Sequence, residues 1–390
     1  MSSKQNGFLL LAAIVLISLN LRPPLTVVGP LVQEIRLDTG LSNSMIGFLT
    51  TLPILALGIF SILTSLLTRK MGTAGTMAFA LLLLTAGSFL RVLPYNPVLF
   101  IGTGILGIGI ALGNVLLPGI IKERFPGSVG VLTGIYSAIL ALGAAVASGI
   151  SVPLSEGTGL GWRFSLGIWG TLSLFTLIVW LPQLKDDKPV VQRQSFLASM
   201  KGLIKSPLAW NISIFMGFQS LIFYVLAAWL PEILVERGMS ATRAGWLVAA
   251  MQAVGMFGSL ILPAWAAERK RQHFPILVII VMEFTALGGI MLSSLDLMLF
   301  WVSVLGFATG ASFGMALLFI VLRTRTVETA NSLSGLAQSV GYTIAATGPV
   351  IFGAVYDFSD NWQIPFSLLF VVTVIKLFTG WQSAKNLYIE

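Results

Sequence analysis

The sequence predicts an all-α membrane protein of twelve transmembrane helices in two six-helix bundles. Three observations carry that expectation: a composition too apolar for a soluble fold, apolar segments of spanning length that recur along the chain, and an internal repeat that divides them six and six. Of the 390 residues, 56% are hydrophobic and only 10% charged, whereas soluble domains carry about 25% charged residues. Mean hydropathy is +0.92. The 40 glycines and 25 phenylalanines suit close helix contacts and lipid-facing bulk.

Spans of about 20 apolar residues are needed to cross the hydrocarbon core. Segments of that kind predict helices 1 to 6 near residues 7–33, 44–68, 74–92, 98–121, 128–154 and 161–182. Helices 7 to 12 follow near 208–235, 243–266, 274–294, 297–321, 330–356 and 363–382. The domain organisation is therefore a bundle over 1–182, a polar cytoplasmic linker over 183–207 and a second bundle over 208–390. Strands are not expected, because only helices and closed barrels satisfy the backbone in lipid. The first apolar run lacks a small-residue cleavage site, so no cleavable signal peptide is expected.

Orientation follows from lysine and arginine. With the N-terminus inside, the inner segments hold Lys4, Arg69, Lys70, Lys122, Arg124, Lys185, Lys188, Arg193, Lys201, Lys205, Arg269, Lys270, Arg271, Arg323, Arg325 and Lys385. The outer loops hold Arg36, Arg91, Arg163, Arg237 and Arg243. Sixteen against five places both termini in the cytoplasm. The net charge of +8 is thereby explained by topology, and no nucleic-acid partner is expected.

The repeat is visible residue by residue. Gly109-Ile-Ala-Leu-Gly113-Asn-Val-Leu-Leu117 in helix 4 recurs as Gly310-Ala-Ser-Phe-Gly314-Met-Ala-Leu-Leu318 in helix 10, an offset of 201 residues. The same offset aligns Leu132-Thr-Gly134-Ile135 with Leu333-Ser-Gly335-Leu336, and Pro30 with Pro231. Several matches in one order indicate two halves related in parallel.

Candidate functional residues are polar groups where lipid would exclude them. Helix 1 carries Asn20-Leu21-Arg22-Pro23-Pro24. An arginine at that depth costs about 2.5–3.5 kcal/mol on insertion scales, and two prolines remove backbone hydrogen bonds beside it. Arg22 therefore reads as lining a polar path for solute, the alternative being a side chain that snorkels to the interface. Its planar fork of donors suits a small planar anion, a nitro group or a carboxylate. Asn20 serves either solute or a helix–helix hydrogen bond. Asn114 in helix 4, beside a run of glycines that permits close packing, and Tyr136 in helix 5 are further candidates; bonding to a neighbouring helix is the alternative for Tyr136.

In the second half, Gln219 and Phe223 share one face of helix 7, and Ser220 and Tyr224 the next. Gln252 in helix 8 and Ser334, Gln338 and Tyr342 along one stripe of helix 11 complete a polar and aromatic set suited to a small-molecule pocket, with helix packing as the alternative. Trp229 is read as part of the interfacial aromatic belt, with the pocket set of helix 7 as the alternative. Glu283, the carboxylate well inside helix 9, is a candidate proton carrier, or else pairs with a neighbouring helix or lies near a headgroup. The offset sets Phe223 against Arg22, so the second half offers no matching charge and any central site is asymmetric.

With no cysteine and one histidine, His273, in a basic loop, disulfides, thiolate metals and a histidine relay are excluded. Paired carboxylates, a nucleophile elbow and a phosphate-cradling loop are absent, so no enzyme activity, metal or cofactor is expected.

Taken together, Asn20–Pro24, Gly109–Pro118, the Gln219-Ser220…Phe223-Tyr224…Trp229-Leu-Pro231 run and Ser334–Tyr342 resemble the CynX/NimT branch of the major facilitator superfamily over essentially the whole chain. That resemblance implies the superfamily fold, a multi-pass location in the bacterial inner membrane, and alternating access around a central cavity for a small polar or anionic solute such as cyanate or a nitroimidazole-like compound. One departure stands out: the loop after helix 2 has Arg69 where the wider superfamily usually has an aspartate. The expected partners are a small-molecule solute, protons if Glu283 carries them, and the bilayer, with the chain acting as a monomer. Two other readings remain open. A proton-coupled multidrug efflux transporter would have an apolar, aromatic cavity with a carboxylate for cations. A non-transporting solute sensor would have an appended soluble domain, which the short termini do not provide.

Overall fold

The computed structural model describes residues 3–125, 129–186, 202–325 and 327–389. Much of the predicted linker, with Lys188, Arg193 and Lys201, lies outside the described residues, as do the side chains of Lys4, Arg69, Lys122 and Lys185. Among the described residues, twelve helices are long and apolar enough to cross a membrane. They are α1 Leu9–Thr39, α2 Asn43–Ser61, α3 Lys70–Leu90, α4 Asn96–Ile121, α5 Ile135–Thr158 and α6 Gly161–Leu184. The second six are α7 Pro207–Glu236, α8 Ala241–Ala267, α9 His273–Leu292, α10 Leu295–Leu322, α11 Ser332–Ser359 and α12 Gln363–Ser383. Strand-like pairing among the described residues amounts to an isolated bridge between Thr324 and Ile389.

The chain forms two compact units, Met1–Thr39 with Leu52–Gln192, and Gly40–Thr51 with Arg193–Glu390. The first turns of α2, read from sequence as part of the first bundle, thus pack in the second unit. Their anchor is Asp357 on α11, whose carboxylate accepts the backbone N–H of Asn43 at 3.1 Å and of Ser44 at 2.8 Å, and the Asn43 carboxamide at 2.9 Å. These are N–H groups that a helix start leaves without intrahelical partners. Thr51 donates further along to the Ala346 carbonyl at 2.7 Å, and a Cβ at Gly47 would lie 2.3 Å from the Pro349 oxygen.

Within the first unit α1 is discontinuous. Regular helix runs over Ser3–Asn20, breaks, resumes as the single turn Pro23–Thr26, passes through a tight turn at Gly29–Leu31 and ends as Val32–Thr39. Two consecutive prolines lack the N–H groups the preceding turn needs, and proline disfavours helical geometry in the residue before it. Glycines let neighbours approach the break: a Cβ at Gly113 on α4 would lie 2.7 Å from Leu21, and one at Gly143 on α5 3.2 Å from Leu19.

The second unit is built on a glycine seam between α8 and α10. Cβ atoms at Gly306, Gly310 and Gly314 would lie 2.2, 1.9 and 2.5 Å from the carbonyl oxygens of Met251, Gly255 and Ser259. The four-residue spacing keeps the three glycines on one stripe of α10 and Met251, Gly255 and Ser259 on one stripe of α8, and small residues there let membrane helices touch backbone to backbone. Phe215 and Phe319 meet edge to face at 5.7 Å in a core shared with Ile276 and Met315. Trp229 corrects the sequence reading. It is fully buried rather than interfacial, and its indole N–H donates to the Pro349 carbonyl at 2.9 Å, a partner on another helix that sequence does not reveal.

Candidate functional site

In the first unit the break in α1 presents Arg22 half-buried. Helical geometry resumes immediately beyond it, and the Arg22 carbonyl accepts the N–H groups of Leu25 at 3.0 Å and Thr26 at 3.2 Å. The short turn is tied to α5: the Thr26 hydroxyl donates to the Ala144 carbonyl at 3.2 Å, and the Ser148 hydroxyl to the Thr26 carbonyl at 3.4 Å. The junction that Thr26 makes with α5 begins four residues after Arg22, and α5 also carries Tyr136. Tyr136 in turn donates to the Asn114 side-chain oxygen on α4 at 3.2 Å, and Asn114 donates back to Ile110 at 2.9 Å. α1 and α5 thus meet just beyond Arg22, while α4 and α5 pair one phenol with one carboxamide. A guanidinium supplies charge and paired donors, while the amide and phenol add neutral hydrogen bonds.

Asn20 does not join this group. Its amide donates to the Leu16 carbonyl at 2.7 Å and the Thr176 hydroxyl at 2.8 Å, and its oxygen accepts from Ser173 at 2.7 Å. Both amide hydrogens are committed, and the side chain is 1% exposed. Asn20 is the last residue of the first helical stretch, before the break that carries Arg22, and its side chain is taken up by α6. Of its two sequence readings, the helix–helix bond is the one the geometry supports. The polar pair Ser173 and Thr176, three residues apart on one face of helix 6, was the available signal.

In the second unit Gln219 and Ser220 are buried on α7, and the Gln219 amide turns back to the Met216 carbonyl at 3.1 Å and the Ser220 hydroxyl at 2.6 Å. Phe223 and Tyr224 meet edge to face at 5.3 Å. On α11 the Gln338 amide donates to Ser334 at 2.9 Å, so the predicted stripe exists, and Gln338 and Tyr342 are half-buried along it. A Cβ at Gly217 would lie 2.9 Å from Ile344, and one at Gly341 3.1 Å from Met216; these contacts hold α7 and α11 side by side. Gln252 is buried on α8 with its amide 3.4 Å from the Val248 carbonyl.

Glu283 lies elsewhere in the second unit. It is fully buried among α9, α10 and α12, ion-paired with Lys376. One carboxylate oxygen accepts both the Lys376 ammonium and the Ser312 hydroxyl, the latter at 3.0 Å, and Lys376 also donates to Ser312 at 2.9 Å. The other oxygen, Oε2, has no hydrogen-bond partner. Lys376 and Ser312 are absent from the sequence-derived set. A lysine inside the apolar run of helix 12 was the legible clue, since an intramembrane charge requires a partner. Two arginines read as loop charges, Arg91 and Arg323, are also buried. Arg323 donates to the Ser383 carbonyl at 2.9 Å and to the Gln272 side chain, and burial lowers its pKa. The described residues contain no group of three or more potential metal ligands.

Comparison with known proteins agrees with this architecture. Residues 8–349 match the Major Facilitator Superfamily model. The chain is 37% identical over 379 residues to the 2-nitroimidazole transporter of Escherichia coli, covering 97% of this chain and 96% of that one. It is 28% identical to the cyanate transport protein CynX of the same organism, covering 90% and 91% respectively. A crystal structure of a bacterial homologue of the human lysosomal transporter Spinster, inward-facing and unoccupied, superposes with a TM-score of 0.82 over 98% of each chain at 16% identity, a likeness of fold. The protein is not an enzyme but a multi-pass secondary transporter of small solutes, and it belongs to the CynX/NimT family of the major facilitator superfamily.

Proposed function

We propose that the protein carries a small polar or anionic solute across the bacterial inner membrane by alternating access, as a monomer with both termini in the cytoplasm. The observation that carries this reading is Arg22, a guanidinium set at the break of α1, in the unit that also holds the hydrogen-bonded pair Tyr136 and Asn114. Such a group suits a compact solute with planar acceptor atoms. The names of the two relatives support it, since a nitroimidazole carries a planar nitro group and cyanate is a small monovalent anion. Arg22 recognises the charge or nitro group. Gln219, Phe223, Tyr224, Gln252, Gln338 and Tyr342 are the second unit's candidates for hydrogen bonding and closure, and Asn20 holds α1 against α6. Glu283, paired with Lys376, is the candidate for coupling transport to protons.

The test is uptake of labelled cyanate and of 2-nitroimidazole in cells expressing wild type, Arg22→Ala or Arg22→Lys, with membrane insertion checked by blot. Both variants are expected to insert and to lose uptake, because lysine keeps the charge but not the planar fork. Full transport by both would remove Arg22 from the solute path. A drug-resistance assay on the same strains separates import from the multidrug-efflux alternative.

A further inference from the structure

At one end of the second unit the last turn of α8, the loop after it, the start of α9 and the residues following α12 meet. Arg323 holds the junction together. Its Nε donates to the Ser383 carbonyl at 2.9 Å, and its Nη2 donates to the Ala384 carbonyl at 3.3 Å and to the Gln272 side chain. The Gln272 backbone N–H donates to the same Ala384 carbonyl at 3.3 Å. The loop after α8 is thereby fixed beside the end of α12. It presents Arg269, Lys270 and Arg271, and the chain after α12 presents Lys385, all of them exposed. Glu268 is the one carboxylate in residues 265–275 and 381–389.

The residues next to these cations, toward the helix bodies, are exposed aromatics. Trp265 on α8 and Phe274 on α9 meet edge to face at 5.9 Å. The Arg269 guanidinium lies 4.0 Å from the Trp265 ring centre and 6.0 Å from that of Phe274. His273 and Trp381 meet at 4.5 Å and join α9 to α12. An arginine held over an exposed tryptophan belongs at a membrane–water boundary, with the ring at headgroup level and the cation at the phosphates. From Phe274 an exposed apolar stripe continues along α9 through Leu277, Val281 and Phe284, at the three- and four-residue spacing of one helix face.

Topology alone accounts for lysine and arginine at the ends of spans. It does not account for two charged segments fixed side by side, nor for a guanidinium held over an aromatic pair from which an apolar stripe descends. A free phosphate would use the cations and leave the rings and the stripe idle. A phospholipid uses all of them, its phosphate on the cations and an acyl chain along the stripe. An anionic headgroup fits better than a zwitterionic one, whose ammonium would oppose the same cations. We infer that the ends of α8 and α12 and the start of α9 form a binding site for one anionic phospholipid. The site lies wholly in the second unit and is independent of the solute carried and of Arg22.

Native mass spectrometry of the delipidated full-length protein in detergent tests this, with phosphatidylglycerol and phosphatidylcholine of identical acyl chains as probes. Wild type is expected to retain one phosphatidylglycerol saturably, at about tenfold lower concentration than phosphatidylcholine. The triple change Arg269→Gln, Lys270→Gln and Arg271→Gln is expected to abolish that preference and keep a wild-type size-exclusion profile, because all three side chains are exposed. Lys385→Gln is expected to weaken phosphatidylglycerol binding several-fold, and Trp265→Ala to weaken both lipids. The charge-matched control is Lys70→Gln with Arg124→Gln and Lys205→Gln, exposed cations at other span ends, and it is expected to keep the preference. Soluble glycerol 3-phosphate is expected not to displace bound phosphatidylglycerol at the same concentration. The site is overturned if the control loses the preference as fully as the triple change, for then net charge alone attracts the lipid. It is also overturned if the triple change keeps the preference, or if glycerol 3-phosphate competes on equal terms, which would make the surface an anion patch. If the triple change misfolds, wild-type binding by both Lys385→Gln and Trp265→Ala overturns it.

Discussion

Glu283 and Lys376 are both fully buried and share Ser312 as a common hydrogen-bond partner. Such a pair is costly to break and cheap to replace as a whole. Removing one partner of a buried pair costs about 3–5 kcal/mol, because the other charge is left without compensation, whereas replacing both by apolar groups is often neutral or stabilising. Glu283→Gln is therefore expected to lower the unfolding temperature sharply, and the double change Glu283→Leu with Lys376→Leu to restore it. The stable double variant then tests the coupling role. If Glu283 carries the proton, it retains solute counterflow but loses accumulation driven by a pH gradient; unchanged accumulation would make the pair purely structural. Glu283 was legible in the sequence because a carboxylate inside a span is conspicuous. Its partner was not, because Lys376 is distant in sequence and only packing joins the two helices. Arg22 and Asn20 show the same division. Both stand out by depth, but that Asn20 is bound to α6 while Arg22 stands at the break is settled by packing between helices.

At the scale of elements, α1 and the α8–α10 seam illustrate what periodicity gives and withholds. The two prolines mark the break in α1 directly. The glycine run of helix 10 announces a close contact but does not name α8 as the partner. A Cβ at Gly310 would lie 1.9 Å from the Gly255 carbonyl oxygen, so backbone must move to admit it. Gly310→Ala is expected to cost about 1–3 kcal/mol, the usual range for overpacking, read as a lower unfolding temperature in detergent. Gly104→Ala is the control, since its Cβ would have no neighbour within 4 Å and alanine is the better helix former; it is expected to be neutral or slightly stabilising. Equal effects of the two changes would contradict the seam.

For the whole molecule, the distribution of lysine and arginine makes a topological prediction that the native absence of cysteine makes simple to test. Asp296 and Arg271 are both exposed in the structure, at what the charge bias makes opposite sides of the membrane. Asp296→Cys is expected to react with a membrane-impermeant maleimide once the outer membrane is permeabilised, and Arg271→Cys only after the inner membrane is lysed. The reverse pattern would invert the orientation. By itself the sequence determined the fold class, the twelve spans, the two-fold repeat and the family, because apolar length, periodicity and the 201-residue offset are properties of the chain read in order. It also singled out Arg22, since a charge beside two prolines is anomalous wherever the rest of the chain goes. Only the tertiary structure decided that Asn20 belongs to helix packing, that Lys376 pairs with Glu283, that the start of α2 is capped by Asp357, and that Arg91 is buried. Each of these depends on groups separated by tens to hundreds of residues meeting at hydrogen-bond distance, and side-chain direction between packed helices leaves no periodic trace in a single sequence.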